Sequence, residues 1–326
     1  SFFILFLTVL SALSSTGQFD NNWYFGRRAG LKFNLTGPQV LTNSAMISSE
    51  AAAAISDEDG NLLFYTSGVE VFNRNHQLML NGNNLGGNIS ACQMSIVPHP
   101  GNPDLFYIFS ADAFEDDFIN GYRYSIVDMS LDGGNGAVIS KNNGLWASCS
   151  ERMATVRHSN GVYVWLITND HDSNIFRAWL IDCNGLQPNP VVSTIGTVMD
   201  QHLLMNVGVL KASPDGDMLC QTHFPIGGGP NNFIQLFDFD NSTGQLSNAR
   251  SISLPLTKYN HCEFSPDSKL LYVTRKDDMQ LDQLEVTLPT AAAIGASRVS
   301  FPTQTSYYDI QLAVDERIYL TQSNQL

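Results

Sequence analysis

The segment SPDGDMLCQT (213–222) places a Ser-Pro-Asp-Gly turn directly before a short apolar strand that ends on threonine. The segment SPDSKLLYVT (265–274) repeats this order of residues. Proline presets φ in such a turn and glycine accepts a positive φ, so both segments favour two antiparallel strands with a tight connection. The apolar strand after the turn recurs about every fifty residues; its six copies are LLFYT (62–66), LFYIFS (105–110), VYVWLIT (162–168), MLCQT (218–222), LLYVT (270–274) and IYLT (318–321).

Each unit has room for two more strands, and the sequence supplies segments with alternating apolar and polar residues. The third strands are GYRYSIV (121–127), NIFRAWLI (174–181), NNFIQLFDF (231–239) and MQLDQLEV (279–286). Four antiparallel strands in a repeat of about fifty residues are typical of a β-propeller blade. We therefore expect an all-β propeller of four-stranded antiparallel blades, with about six blades in this chain and seven in the full protein.

The two ends of the chain lead to further expectations. The apolar run followed by small residues in 1–17 is typical of a secretory signal segment, so residues 18–326 are expected to form a single propeller domain. The sixth unit stops after its second strand, which predicts an incomplete last blade and a chain cut from a longer protein. The segment 21–34 is a candidate outer strand that closes the ring.

Composition narrows the functional classes. The net charge is −14 and charged residues make up 15% of the chain, which argues against nucleic acid or an anionic membrane surface as the main partner. The five cysteines lie far apart without a CxxC pair, so we expect free thiols, mostly buried, rather than a zinc ribbon.

Several segments of the sequence resemble the N-terminal, WD40-like propeller of a group of secreted proteins. These proteins carry gliding-motility-associated C-terminal domains, which are type B sorting signals of type IX secretion. The segments include NNWYFGRRAGLKFN (21–34), YRYSIVDMSLDGGNG (122–136) and LFDFDNSTGQLSN (236–248). The resemblance implies a secreted, adhesin-like binding or scaffold module at the outer cell surface of a bacterium, with a protein or a glycan as partner. It carries over no catalytic residue.

No GxSxG, HExxH or Walker motif occurs, which disfavours the common hydrolase and nucleotide-binding classes. The strongest candidate for a ligand site is a group of acids at the entrances of the inner strands, where they would line one mouth of the central channel: Glu50, Glu151, Glu263 and Asp309. This group supports an alternative function, a propeller enzyme that acts on a carbohydrate or a lactone.

Outside this group, Trp146 lies in a polar connection and is the tryptophan expected to be exposed, either for stacking on a ligand or for filling the groove between blades. His171 lies between Asp170 and Asp172, a carboxylate–imidazole cluster that suits a metal or acid–base work in residue type. A solvated blade loop is favoured, because the sequence assigns no second set of ligands. Asp57 and Asp59 offer carboxylates for calcium, although turn chemistry explains them without a metal. We therefore expect no cofactor, with calcium as the alternative.

Overall fold

The computed structural model describes residues 20–34, 36–198, 203–223, 233–253, 259–275, 279–303 and 307–322. The signal-like segment 1–17 lies outside these residues. The first sheet, called the N-terminal sheet below, is antiparallel and consists of β1 (Asn22–Phe25), β2 (Ala29–Asn34) and β3 (Gly37–Leu41).

The six repeat units form the six blades of an all-β propeller, and consecutive strands pair antiparallel within each blade. Blade 1 contains β4 (Ala53–Ser56), β5 (Leu62–Thr66) and β6 (Val71–Asn73). Blade 2 contains β7 (Met94–Pro98), β8 (Leu105–Ser110), β9 (Tyr122–Asp128) and β10 (Ala137–Trp146). Blade 3 contains β11 (Met153–Arg157), β12 (Val164–Asn169), β13 (Ile175–Asp182), β14 (Gly185–Leu186) and β15 (Val191–Thr194), the last two both on β13.

The remaining blades follow the same order. Blade 4 contains β16 (Leu210–Ala212), β17 (Met218–Gln221), β18 (Phe233–Asp240) and β19 (Gln245–Ser253). Blade 5 contains β20 (Tyr259–Phe264), β21 (Leu270–Arg275), β22 (Gln280–Glu285) and β23 (Val299–Pro302). Blade 6 contains β24 (Tyr307–Leu312) and β25 (Ile318–Gln322).

The turn between the first two strands of blades 4 and 5 shows why the repeat folds in this way. Ser213 Oγ accepts the Met218 N–H at 2.9 Å, and Ser265 Oγ accepts the Leu270 N–H at the same distance. The third residue after each serine has a positive φ, 78° at Gly216 and 60° at Ser268. Glycine adopts this conformation freely and serine does so at a cost, so the hydroxyl contacts must help to hold the second turn.

The apolar core lies in the grooves between consecutive blades. Phe64 of blade 1 packs against Phe106 of blade 2 with ring centroids 5.6 Å apart, and Phe176 of blade 3 packs against Phe237 of blade 4 at 4.9 Å. Trp165 and Trp179 are both buried in clusters of this kind. Aromatic side chains bury large areas of apolar surface, so contact between neighbouring blades is the main stabilising term of the ring.

The N-terminal sheet packs against both blade 1 and blade 6. Asn22 Nδ2 donates to Ser56 Oγ of blade 1 at 2.9 Å, and the Trp23 ring lies 5.9 Å from that of Tyr319 in blade 6. The expectation that 21–34 adds an outer strand to the last blade is therefore wrong for the described strands, because β1 and β2 pair with each other. Closing a short local turn costs less chain entropy than pairing across the whole chain.

Helical structure is scarce in this fold. The short helix α1 (Ala291–Ala296) begins after Thr290, whose Oγ1 accepts the Ala293 N–H at 3.1 Å. Among the described residues, no helix is both long and apolar enough to cross a membrane. All five cysteines are free thiols, and Cys149, Cys220 and Cys262 are buried.

Candidate functional site

The inner strands of the blades present equivalent positions to the central channel. Lys211 pairs with Cys220, Glu263 with Tyr272 and Gln311 with Tyr319. In each blade the partner lies two residues before the threonine found within one residue of the end of the second strand, which is Thr222, Thr274 or Thr321. Equal register places these three polar side chains at one level of the ring.

Lys211 is the centre of a charged cluster on this side of the channel. Its Nζ lies 3.0 Å from Glu263 Oε2 and donates to Gln311 Oε1 at 2.6 Å. Burial opposes the charge of Lys211, but the carboxylates of Glu263 and Asp309 outweigh burial and raise its pKa. Burial also raises the pKa of Asp20, which Lys211 lowers in part. The cluster therefore holds a charged lysine among three carboxyl groups.

Glu263 also connects two blades through the backbone. It is 3% exposed, its Oε1 accepts the Phe264 N–H, and its Oε2 accepts the Leu312 N–H of blade 6, both at 2.9 Å. Both carboxylate oxygens are thus engaged.

Glu151 has a similar position between blades 2 and 3, but no cation among the described residues pairs with it directly. Its Oε2 accepts the Cys92 N–H and its Oε1 accepts the Phe114 N–H, both at 3.0 Å, while only 1% of the residue is exposed. Burial raises the pKa of Glu151 to about 7, and Glu50 adds to this rise, although the hydrogen bonds oppose it. The carboxyl group therefore changes its protonation near neutral pH.

Glu50, Cys92 and Glu151 form the cluster whose donor set best fits a metal ion, with ligand atoms all within 4.8 Å of one another. Cys92 Sγ donates to Glu50 Oε2 at 3.6 Å. Burial raises the pKa of the Cys92 thiol well above its usual value, and the two glutamates add to this rise. Because a metal binds the thiolate, this rise opposes metal binding at neutral pH.

Arg152, next to Glu151 in the chain, points away from the glutamate into the protein. It is fully buried, and its guanidinium donates to the carbonyl oxygens of Thr222 (2.8 Å), Val207 (3.2 Å) and Met205. It also donates to Asn169 Oδ1 at 3.2 Å. Burial lowers the pKa of Arg152 to about 10, which leaves it charged at neutral pH. Arg152 therefore joins blade 3 to blade 4 and to the segment that precedes blade 4.

Gln93 joins three blades at the same level of the channel. Its Oε1 accepts the Met153 N–H of blade 3 at 3.0 Å and the Leu210 N–H of blade 4 at 2.7 Å, and its Nε2 donates to the Leu210 carbonyl at 2.9 Å. The polar side chains around the channel thus hold neighbouring inner strands together.

The predicted ring of acids divides into two groups. Glu50 lies with Glu151, and Glu263 and Asp309 lie around Lys211. Sequence reasoning missed Cys92, Arg152, Lys211 and Gln93. A signal was available for Lys211, the one charged residue of the inner-strand segment VLKA (209–212). No signal in the sequence pointed to Gln93.

A second group of predicted residues gathers on the outer part of blade 3. Arg177 forms a two-fold hydrogen-bonded ion pair with Asp170, at 2.9 and 2.7 Å. The same guanidinium lies 3.8 Å from the centre of the Trp146 ring. Trp146 is therefore 37% exposed and also packed against the neighbouring blade. Both expectations for this residue, an exposed ring and a ring in the groove between blades, thus hold in part.

His171 and Asp172 form a separate pair. His171 Nδ1 lies 3.3 Å from Asp172 Oδ2, and Asp172 Oδ1 accepts from Asn206 Nδ2 at 2.7 Å. Asp170 is engaged by Arg177, so the three residues do not converge on one point.

Asp57 and Asp59 lie in the turn before β5. Asp57 Oδ1 accepts the backbone N–H groups of Asp59 at 3.1 Å and Asn61 at 2.7 Å. These contacts are ordinary turn chemistry, so the calcium alternative there rests on residue type alone.

Comparison with known proteins identifies the fold. No family model and no curated protein matches the chain. Among solved structures, a putative 6-phosphogluconolactonase from Bacteroides uniformis has a TM-score of 0.57 at 14% identity, and covers 90% of this chain and 84% of its own. The Cps50 (Swd1) β-propeller domain of Myceliophteria thermophila has a TM-score of 0.53 at 11% identity, with 95% and 94% covered.

A third similar structure is the periplasmic gluconolactonase PpgL of Pseudomonas aeruginosa, with a TM-score of 0.52 at 14% identity and with 90% of this chain and 79% of its own covered. At these identities the likeness shows the propeller fold alone. The similar structures include enzymes as well as a WD40-type propeller, so fold does not decide between catalysis and binding.

Proposed function

We propose that the chain is a non-enzymatic binding scaffold, a propeller displayed outside the bacterial cell as part of a secreted, adhesin-like protein. The observation that carries this proposal is the structural role of the two channel glutamates, Glu151 and Glu263. Glu151 and Glu263 are almost fully buried, and all four of their carboxylate oxygens accept backbone N–H groups of their own or adjoining blades.

A catalytic acid or base must exchange its proton with a substrate within hydrogen-bond distance. Each carboxylate oxygen has a second acceptor site, but Glu151 is only 1% and Glu263 only 3% exposed, so a substrate has little access to these sites. Together with Arg152 and Gln93, these contacts favour a rigid ring. Such a ring suits a platform that presents loops and blade edges to a partner.

The extracellular location is supported by the signal-like segment 1–17 and by the resemblance to propellers of type IX-secreted proteins. The net charge of −14 agrees with a partner other than nucleic acid. The partner is a protein or a glycan of the cell surface.

An activity assay tests the absence of catalysis. The purified chain is incubated with gluconolactones and with chromogenic glycosides, beside the Glu151→Gln and Glu263→Gln variants. We expect no turnover above the buffer rate for any of the three proteins. Turnover by the unaltered chain that either substitution abolishes would overturn the proposal. Antibody labelling of intact source cells tests the location, and labelling only after lysis would contradict it.

One observation favours the alternative, a propeller enzyme that acts on a carbohydrate or a lactone. The pKa of Glu151 is about 7, the range in which a carboxyl group serves as general acid or base at neutral pH. Two of the similar structures are a putative 6-phosphogluconolactonase and a periplasmic gluconolactonase. The assay above decides between the two functions, because the enzyme requires Glu151 and the scaffold does not.

A further inference from the structure

A surface cavity of about 430 Å³ lies on blade 2, between the end of β10 and the segment that leads into β9. This volume falls within the usual range of small-molecule sites. Its lining includes the Trp146 ring, the amide side chains of Asn120 and Asn142, the Arg123 guanidinium, and the almost fully buried Tyr122. Its lining shares no residue with the channel clusters around Glu151 and Lys211.

Trp146 is held in place before any ligand arrives. Arg177 of blade 3 covers part of its ring at 3.8 Å, and Asp170 fixes Arg177 through two hydrogen bonds. Trp179 packs beside it with ring centroids 6.0 Å apart. The exposed 37% of Trp146 is thus a pre-positioned apolar surface, and little entropy is lost when a ligand stacks on it.

Gly144 creates the space in front of this surface. It lies opposite Arg123 in the pairing of β9 with β10, and a Cβ atom at this position would meet no other atom within 4 Å. Any larger residue here would project into the open cavity. The absence of a side chain at this one position of the strand is therefore what keeps the cavity open.

The polar groups around the cavity are also held in fixed directions. Asn142 Oδ1 accepts the Gly86 N–H at 2.5 Å and its Nδ2 donates to the Asn84 carbonyl at 3.0 Å. Arg123 donates through Nε to the Asn120 carbonyl at 3.2 Å and through Nη2 to Asn120 Oδ1 at 2.9 Å. Its Nη1 has no hydrogen-bond acceptor among the described residues, which leaves donors for a ligand.

The geometry points to a binding site for an acidic saccharide: a sugar ring stacks on Trp146, its hydroxyl groups pair with the Asn120 and Asn142 amides, and its carboxylate pairs with Arg123. Amide groups both donate and accept, as hydroxyl groups do. Arg123 is the charged residue of the cavity lining, which holds no carboxylate, so a uronic acid is favoured over a neutral sugar. This inference rests on the proposed binding function and names its ligand class.

The test begins with the purified chain on an array of neutral and uronic-acid glycans. Calorimetric titration follows with α-1,4-linked galacturonic acid tetramers and α-1,4-linked galactose tetramers. We expect retention on uronic-acid glycans and at least tenfold tighter binding of the acidic tetramer than of the neutral one. Absence of binding to every glycan on the array would overturn the inference.

Three variants locate the site. Trp146→Ala and Gly144→Leu should each weaken binding at least tenfold, and the second should do so with an unchanged melting temperature because its side chain enters open space. Arg123→Gln should bring the acidic tetramer to the affinity of the neutral one. Phe301→Ala, which alters an exposed aromatic residue of blade 5, should leave binding unchanged.

The outcomes separate the two proposals. Glycan binding that survives both Trp146→Ala and Gly144→Leu overturns this site and leaves a binding scaffold standing. Release of new reducing ends from the bound tetramer would instead refute the non-enzymatic function.

Discussion

Between blades 2 and 3, Glu151 and Arg152 are neighbours in the chain, yet their side chains bond to different groups: Glu151 to backbone N–H groups, and Arg152 to carbonyl oxygens and Asn169. Between blades 4 and 5, Lys211 and Glu263 come from neighbouring blades and pair directly at 3.0 Å. In the first arrangement, burial raises the pKa of the Glu151 carboxyl group. In the second, neighbouring carboxylates raise the pKa of Lys211 and keep it charged. The type of a channel residue therefore does not by itself determine its protonation state, which also depends on the groups that the neighbouring blade places around it.

The largest effect should come from Arg152. Arg152→Met removes the guanidinium donor from the Thr222, Met205 and Val207 carbonyl oxygens and from Asn169 Oδ1, to which Gln221 Nε2 also donates. We expect it to lower the free energy of unfolding by about 4 kcal/mol. Chemical denaturation measures the change. Arg74→Met, at an exposed arginine, is the matched control and should change stability by less than about 0.5 kcal/mol. Equal effects of the two substitutions would contradict a structural role for Arg152.

Between blades 4 and 5, stability should depend on the ion pair of Lys211 and Glu263. Lys211→Met leaves Glu263 buried without its cation and should cost about 3 kcal/mol, the lower end for a broken buried ion pair. In a double-mutant cycle with Glu263→Gln, the two effects should add to clearly more than the effect of the double variant. Strict additivity would show that Lys211 and Glu263 do not interact, and the contrast between the two arrangements would lose its basis.

Glu151 should give the protein a distinctive pH dependence. Its pKa is about 7 in the folded protein and 4.5 ordinarily, so the folded state binds the proton more tightly than the unfolded state. The free energy of unfolding should then fall as pH rises from about 4.5 to about 7, by up to about 3 kcal/mol, and this contribution should be flat outside that window. Urea unfolding across pH measures it.

The control for this profile is Glu151→Gln, which cannot titrate. It loses one acceptor for a backbone N–H, so its stability is lower overall, but the fall between pH 4.5 and 7 should disappear from its profile. A profile with the same slope in both proteins would assign the pH dependence to another group.

The smallest effect concerns a feature that blades 4 and 5 share. Ser213→Ala and Ser265→Ala each remove an acceptor for a turn N–H and should each cost about 1 kcal/mol. Because Ser268 holds a positive φ where blade 4 has Gly216, the cost should be somewhat larger in blade 5. Thermal unfolding compares the two variants. A larger loss in blade 4 would show that the hydroxyl contact is not what holds the strained turn.

Strand positions were predictable because each depends on a few consecutive residues. The second strands LLFYT and LFYIFS coincide with β5 and β8. The closing role of 21–34 was not predictable, since it depends on whether β1 pairs locally with β2 or with a strand far along the chain.

The candidate site was predictable only in its residue types. The entrances of the inner strands predicted Glu50, Glu151, Glu263 and Asp309 as candidates, but spacing could not divide them into two groups. That division depends on Cys92 and Lys211, which arrive from other blades.

The sequence by itself determined the six repeats, their turns and strands, and so the propeller, because turn chemistry and apolar alternation act over short stretches of chain. Tertiary structure alone decided the environment of each polar group. It set Arg152 among carbonyl oxygens, Lys211 among carboxylates, and Trp146 beside an open cavity. Burial and pairing are properties of the space around a side chain, and in a ring that space is formed by a neighbouring blade about fifty residues away.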